Sequence, residues 1–171
     1  MEFSNVSIDI EQLPKAEEVD LQPIDARYWK VILYTRLMIW GICFLAAGTL
    51  VYFIDEMHNT RTIVSITAGA ILFATGNFVL GYLSFKNKSF AVREHDILYQ
   101  TGWFITSLHV CPFNRIQHCS LDSGVFERKF GLSKLNIYSA GGDDSDIEIQ
   151  GLTTTQAAEL RDLIIAKIGA E

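Results

Sequence analysis

Two stretches decide the fold: LMIWGICFLAAGTLVYFI at residues 37–54 and IVSITAGAILFATGNFVLGYLSF at residues 63–85. The first runs 18 residues and the second 23 without a charged side chain. A helix needs about 20 predominantly apolar residues to cross a hydrocarbon core roughly 30 Å thick. At about 1.5 Å rise per residue the second stretch crosses with some tilt. The first is slightly short and extends back to Val31 if Arg36 reaches up to the headgroups. A buried helical hairpin in a soluble core is the alternative, but in a chain of 171 residues buried helices rarely run so long without a charge twice. The expected arrangement is a transmembrane hairpin over residues 31–85, with spans at 31–54 and 63–85 joined by an outside link at 55–62.

Outward from the hairpin, residues 86–171 leave 86 residues, enough for a compact domain with a modest core. Residues 1–30 carry seven acids against three bases and read as a cytoplasmic tail, partly disordered. This is not the pattern of a cleavable leader, so the first apolar run is expected to act as an uncleaved signal anchor. A net charge of −6 provides no basic field for nucleic acid. Cys43, Cys111 and Cys119 form no disulfide framework and fit reduced thiols facing a cytosol. Arg27, Lys30 and Arg36 precede the first span, and Lys86, Lys88 and Arg93 follow the second, whereas the link carries Arg61 beside Asp55 and Glu56. This bias places both termini in the cytoplasm. Tyr28, Trp29 and Tyr34, then Tyr82 and Phe85, then Tyr52 and Phe53 fall where interfacial aromatics belong.

The second span carries a stripe of small and polar residues: Thr67, Ala70, Ala74, Asn77, Gly81 and Ser84, three or four apart. Lipid-facing surfaces gain nothing from such residues, but helix–helix contacts do, because small side chains let backbones approach. Gly41 and Gly48 on the first span are the expected facing partners. An ion or substrate path lined by Asn77 is disfavoured, because neither uncharged run holds an ionisable residue.

After Phe85 the periodicity changes to two. Residues 89–93, 96–101, 104–111, 115–121, 132–139 and 146–150 read as strands. Turn signals lie at Glu94-His95, Gly102, Pro112 with Asn114, and Gly141-Gly142-Asp143-Asp144. Residues 123–131 form a short packed insertion around Val125, Phe126 and Phe130. A closing helix starts at a Thr153/Gln156 capping box, presents Ala157, Leu160, Leu163, Ile164 and Ile168 on one face, and stops at Gly169. The fold class is therefore a two-span α-helical hairpin followed by a mainly β domain: a bent antiparallel sheet or open barrel capped by a C-terminal helix.

Residues 90–168 resemble the pleckstrin-homology-like domains found beside bacterial membrane spans, the membrane-flanked or YdbS-like family. The resemblance is carried by ILYQTGWF at 97–104, CPFNRIQHCSL at 111–121, FERKFGLSKLNIYSAGG at 126–142 and IEIQGLTTTQAAELRDLI at 147–164, with LQPIDARYWKVIL at 21–33 leading into the first span. It implies a seven-stranded bent sheet with a C-terminal helix in a bacterial cell membrane protein, and no known catalytic activity. It also implies a protein partner, since relatives often occur beside a larger membrane protein with several such domains. Self-association stays open.

The site readings follow from residue types. His109, Cys111, His118 and Cys119 are zinc-type ligands on neighbouring strands, but adjacent His118 and Cys119 face opposite sides and no C-x₂-C knuckle is present. A Cys–His nucleophile pair from the same four lacks an evident oxyanion holder. No catalytic, cofactor-binding or metal-binding residue is therefore assigned. Lys86, Lys88, Arg93, Arg115, Arg128 and Lys129 are candidates for lipid or partner contact. The first strand turn, Arg93-Glu94-His95-Asp96, is close to neutral, unlike the basic cluster of phosphoinositide-binding relatives. The leading expectation is a non-enzymatic subunit or scaffold of a membrane complex, with an anionic-lipid sensor as the alternative and a Cys/His enzyme behind it.

Overall fold

The structure, a computed structural model, describes residues 19–53, 59–139 and 147–168. Most of the tail (1–18), residues 54–58 of the link region, the Gly141–Asp144 loop and Gly169 lie outside the described residues.

Helix α1 spans Tyr28–Phe53 and α2 spans Thr60–Lys86. At about 1.5 Å per residue each is close to 40 Å long, more than a hydrocarbon core requires. Both are long and apolar enough to cross a membrane, and almost nothing in the chain covers them. Leu37, Met38, Ile42, Leu45 and Leu50 on α1 are exposed, as are Val64, Ile71, Leu72, Phe73 and Val79 on α2. That much bare apolar surface fits lipid as the surroundings. Asn59 caps α2 by accepting from the Arg61 amide at 3.1 Å.

The remaining chain folds into two antiparallel sheets. The first has the order β1-β2-β3-β4, with β1 at Gln22–Pro23, β2 at Ser89–Val92, β3 at Asp96–Thr101 and β4 at Ser107–Pro112. The second has the order β5-β6-β7, formed by Ile116–Asp122, Leu132–Ser139 and Ile147–Thr153. A 3-10 turn at Phe113–Arg115 joins the sheets, and α3 (Val125–Phe130) links β5 to β6. Helix α4 (Thr154–Ile168) closes the end of the second sheet. Its start is the expected capping box: the Thr153 amide donates to Gln156 Oε1 and the Gln156 amide to Thr153 Oγ1, both at 3.1 Å.

Two antiparallel sheets with a capping helix fit the pleckstrin-homology-like expectation, with six of the seven described strands after α2 and the seventh, β1, contributed from before the first span. Two details differ. Strand β4 starts at Ser107 rather than at the expected Phe104, because Gly102 takes φ +103° and the chain loops out over residues 102–106. A side chain at Gly102 would run into the Ile105 carbonyl, so only glycine fits there. The core also reaches ahead of the first span. Ile24, Tyr28 and Val31 belong to the same buried cluster as Ile97, Leu135, Ile149 and Ile164. Residues preceding and opening α1 are thus part of the domain that the sequence pattern starts at residue 86.

Candidate functional site

The place where helices meet sheets concentrates most of the polar chemistry. It is built from the chain just before α1, the chain just after α2, and β7. Strand β1 pairs with the start of β2, the Ile24 amide donates to the Lys88 carbonyl at 3.4 Å, and the Asp25 amide donates to the Gly151 carbonyl at 2.9 Å. Asp25 Oδ1 accepts from the Arg27 amide at 2.7 Å, and the Arg27 guanidinium returns to the same carboxylate at 2.8 Å while donating to the Phe130 carbonyl at 3.3 Å. The Arg27 hydrogen bond holds the Asp25 carboxyl below its usual range, against the opposing effect of burial.

Gln150 ties the two helix ends together. Its Oε1 accepts from the Tyr28 hydroxyl at 2.7 Å and from the Lys88 ammonium, and its Nε2 donates to Glu148 Oε1 at 2.8 Å. Gly151, with φ +70°, makes room for this joint: a side chain there would sit 2.9 Å from Tyr28 Cγ and 3.0 Å from Ile24 Cδ1. Burial pushes the Lys88 ammonium pKa down, against the nearby charge of Glu148. Burial likewise pushes the Tyr99 phenol up to about 12. Tyr34, two turns into α1, packs its ring on Phe126 and Phe130 of α3 at centroid distances of 5.9 and 5.6 Å. Trp29 packs across to Tyr82 and Phe85 of α2 at 5.1 and 6.3 Å. The domain is thereby locked to both helices.

Between the helices, just beyond this joint, lies an open cleft of about 640 Å³. Arg36 and Lys88 are its charged residues, Thr35, Asn77 and Ser84 its smaller polar ones, and Trp40 and Phe73 line its apolar end, with their rings 5.8 Å apart. The Arg36 guanidinium lies against Gly81, where any side chain would collide with it. Its Nη1 is buried without a hydrogen-bond partner among the described residues. Carboxylates line a neighbouring groove instead, where Glu148 pairs with Lys134 at 3.2 Å.

The small-residue stripe is distributed along the α1–α2 contact. Gly81, Asn77 and Ser84 line the cleft, and Ala74 is buried. Thr67, Ala70 and Gly48 line a smaller groove toward the other end. The Thr67 hydroxyl donates to the Ile63 carbonyl of its own helix at 2.8 Å, not across to α1. A side chain at Gly41 or Gly48 would meet nothing within 4 Å, so neither glycine is a point of tight approach. Gly69 and Gly76, unremarked in the sequence pattern, line a separate outward groove of about 450 Å³ with Leu72 and Leu80.

The basic candidates separate by partner. Lys86 sits 5.7 Å from the Tyr82 ring centre and Lys129 sits 5.5 Å from that of Tyr34, both at the helix–domain boundary. Arg93 is bound to Asp96 across the β2–β3 turn, which closes with the Arg93 amide on the Asp96 carbonyl at 2.9 Å. Arg115 is exposed on the 3-10 turn, and Arg128 is exposed on α3. His109, Cys111, His118 and Cys119 are divided between the two sheets. The His118 ring stacks on Tyr138 at 4.2 Å, Cys111 is buried, and burial raises the Cys119 thiol. Among the described residues no three His, Cys, Asp or Glu side chains come together as metal ligands do.

One surface feature was not singled out in the sequence. The loop between β3 and β4 exposes Trp103 (44%), Phe104 (83%) and Ile105 (74%). Ser89, three residues past the end of α2, pairs with Gln100, so this loop lies at the membrane-proximal end of its sheet. It adjoins β4, the last strand of the first sheet among the described residues.

The profile of the family described as bacterial PH domain matches residues 31–168. The chain is also similar to two transmembrane proteins of Bacillus subtilis. It is 30% identical to YdbS over 87 residues, which make up 51% of this chain and 53% of YdbS. It is 20% identical to YdbT over 118 residues, 68% of this chain and 24% of YdbT. The matched region thus spans about half of YdbS and about a quarter of YdbT. No solved structure matches the chain.

Proposed function

This chain belongs to the bacterial PH domain family and is a membrane protein with a PH-like domain, and from that premise we propose that it is a non-enzymatic subunit or scaffold of a complex in the bacterial cell membrane. The domain is held at the cytoplasmic face, as the Lys and Arg bias at the span ends favours. The observation that carries the proposal is the exposed Trp103-Phe104-Ile105 loop next to β4, the last strand of its sheet among the described residues. A domain that exposes three large apolar side chains on one loop offers side-chain anchors to a partner. Because the loop lies near the membrane, the partner it suits is another membrane protein. A larger protein with several similar domains, of the kind the family resemblance suggests, is the expected one.

The test is cross-linking in native membranes, followed by purification and size analysis in detergent. The wild-type chain should carry a stoichiometric membrane partner with PH-like domains. The double variant Phe104→Ser, Ile105→Ser should insert normally and lose it. A complex of unchanged size in the double variant would overturn the proposal.

A further inference from the structure

We propose that the cleft between α1 and α2 is a binding site for one anionic phospholipid of the bilayer, with Arg36 and Lys88 holding its headgroup and the Trp40–Phe73 end taking part of an acyl chain. The proposal does not depend on the scaffold reading. It starts from a charge with no neutralising partner among the described residues. Arg36 is the one ionised residue within the apolar length of α1, since no other Asp, Glu, Lys or Arg lies between residues 31 and 53. An ionised side chain at membrane depth is normally paired or hydrogen-bonded. Here the guanidinium turns across the helix pair onto Gly81, and Nη1 is buried with no partner among the described residues. A planar guanidinium suits two oxygens of one phosphate.

Depth and shape agree. Gly81 lies five residues before the end of α2, about 7.5 Å along the helix. Arg36 therefore sits where the apolar length gives way to the joint, and Lys88 sits above it on the same cleft. Below Arg36 the cleft is lined by Ile39, Trp40, Cys43 and Phe73. Its volume, about 640 Å³, is within the range of built small-molecule sites. Among the described residues no carboxylate lines it. Two cations at one end and an apolar floor at the other match an anionic amphiphile better than either a zwitterionic lipid or a soluble phosphate. Gly81 is what lets the guanidinium lie in the cleft, which gives that glycine a binding role as well as a packing one.

The experiment uses the full chain, purified in neutral detergent, stripped of lipid, and titrated with dioleoylphosphatidylglycerol or dioleoylphosphatidylcholine under native mass spectrometry. The expected result is one saturable phosphatidylglycerol per chain, bound at least tenfold more tightly than phosphatidylcholine. Arg36→Gln should abolish that preference, Lys88→Gln should weaken it by less, and millimolar inorganic phosphate should not compete. Removing a charge from a span eases insertion, so Arg36→Gln is expected to remain assembled. Ser84→Phe, which fills the cleft without altering a charge, is the independent variant and should also lose the lipid. A preference that survives Arg36→Gln and Ser84→Phe would overturn the assignment. So would competition by inorganic phosphate, or a partner carboxylate found cross-linked into the cleft in place of lipid.

Discussion

Replacing Gly151 with alanine tests the joint between domain and helices at its tightest point. Gly151 holds φ +70°, which costs an L-residue about 1–2 kcal/mol. The new Cβ would also sit 2.9 Å from Tyr28 Cγ, 3.0 Å from Tyr28 Cβ and 3.0 Å from Ile24 Cδ1. Tyr28 cannot swing away easily, because its hydroxyl is bound to Gln150 and its ring packs in the core. Overpacking of this kind adds about 1–3 kcal/mol. The sum is about 3 kcal/mol, or on the order of 10–20 °C in Tm for a domain of this size. Thermal unfolding of the full chain in detergent, followed by near-ultraviolet circular dichroism, measures it. The same substitution in a Tyr28→Ala background separates the two contributions. Tyr28→Ala removes the Cγ contact at 2.9 Å, the closest of the three, and frees the remaining Cβ from the ring and hydroxyl that anchor it, so the penalty of Gly151→Ala should fall toward the conformational contribution of about 1–2 kcal/mol. An equal penalty in both backgrounds, or one below about 1 kcal/mol in the wild type, would refute the account of the joint.

Gln150→Leu should destabilise the chain by about 1–3 kcal/mol in the same melt, because the Tyr28 hydroxyl and the Lys88 ammonium both lose their acceptor; a neutral result would mean that water replaces Gln150 without loss. Glu148 gives a pH dependence. Burial pushes its carboxyl up, but hydrogen bonds from Gln150 and Lys134, with the charges of Lys134 and Lys88, outweigh this and hold it below its ordinary value near 4.5. A folded pKa below the unfolded one stabilises the protein above the unfolded pKa, and the stabilisation disappears as pH falls through the folded one. Glu148→Gln should therefore flatten the acid limb of stability below about pH 4.5, by no more than about 1 kcal/mol given its partial exposure, and an unchanged limb would count against the pairing. The Cys119 thiol, raised by burial, should react with iodoacetamide at pH 7.5 more slowly than a free model thiol. A faster rate would revive the Cys/His reading.

Secondary structure was largely legible because its signals are local. Strands β3 and β6 fall at residues 96–101 and 132–139, as their alternation predicts, and the Thr153/Gln156 pair starts α4 as its spacing predicts. Period-two alternation failed at residues 104–106, where apolar side chains that read as strand are exposed on a glycine-shaped loop. Nothing local distinguishes an apolar residue facing a core from one facing a partner or a membrane. The stripe on α2 was legible as small residues, but the contact at Gly81 was not, because it meets a guanidinium 45 positions earlier in the chain. The first span likewise reads as starting at Val31, although Tyr28, Val31 and Tyr34 pack on the domain.

By itself the sequence determined that two apolar helices precede a strand-rich segment closed by an amphipathic helix. Composition, hydrophobic period and capping residues act within a few positions and need no fold to be read. Only the tertiary structure decided that residues 22–31 complete the domain, that Gln150 joins both helix ends, and that Arg36 and Lys88 share one cleft. Gln150 lies 122 residues from Tyr28 and 62 from Lys88 in the chain. Their meeting depends on strand register and helix packing, which no local pattern encodes.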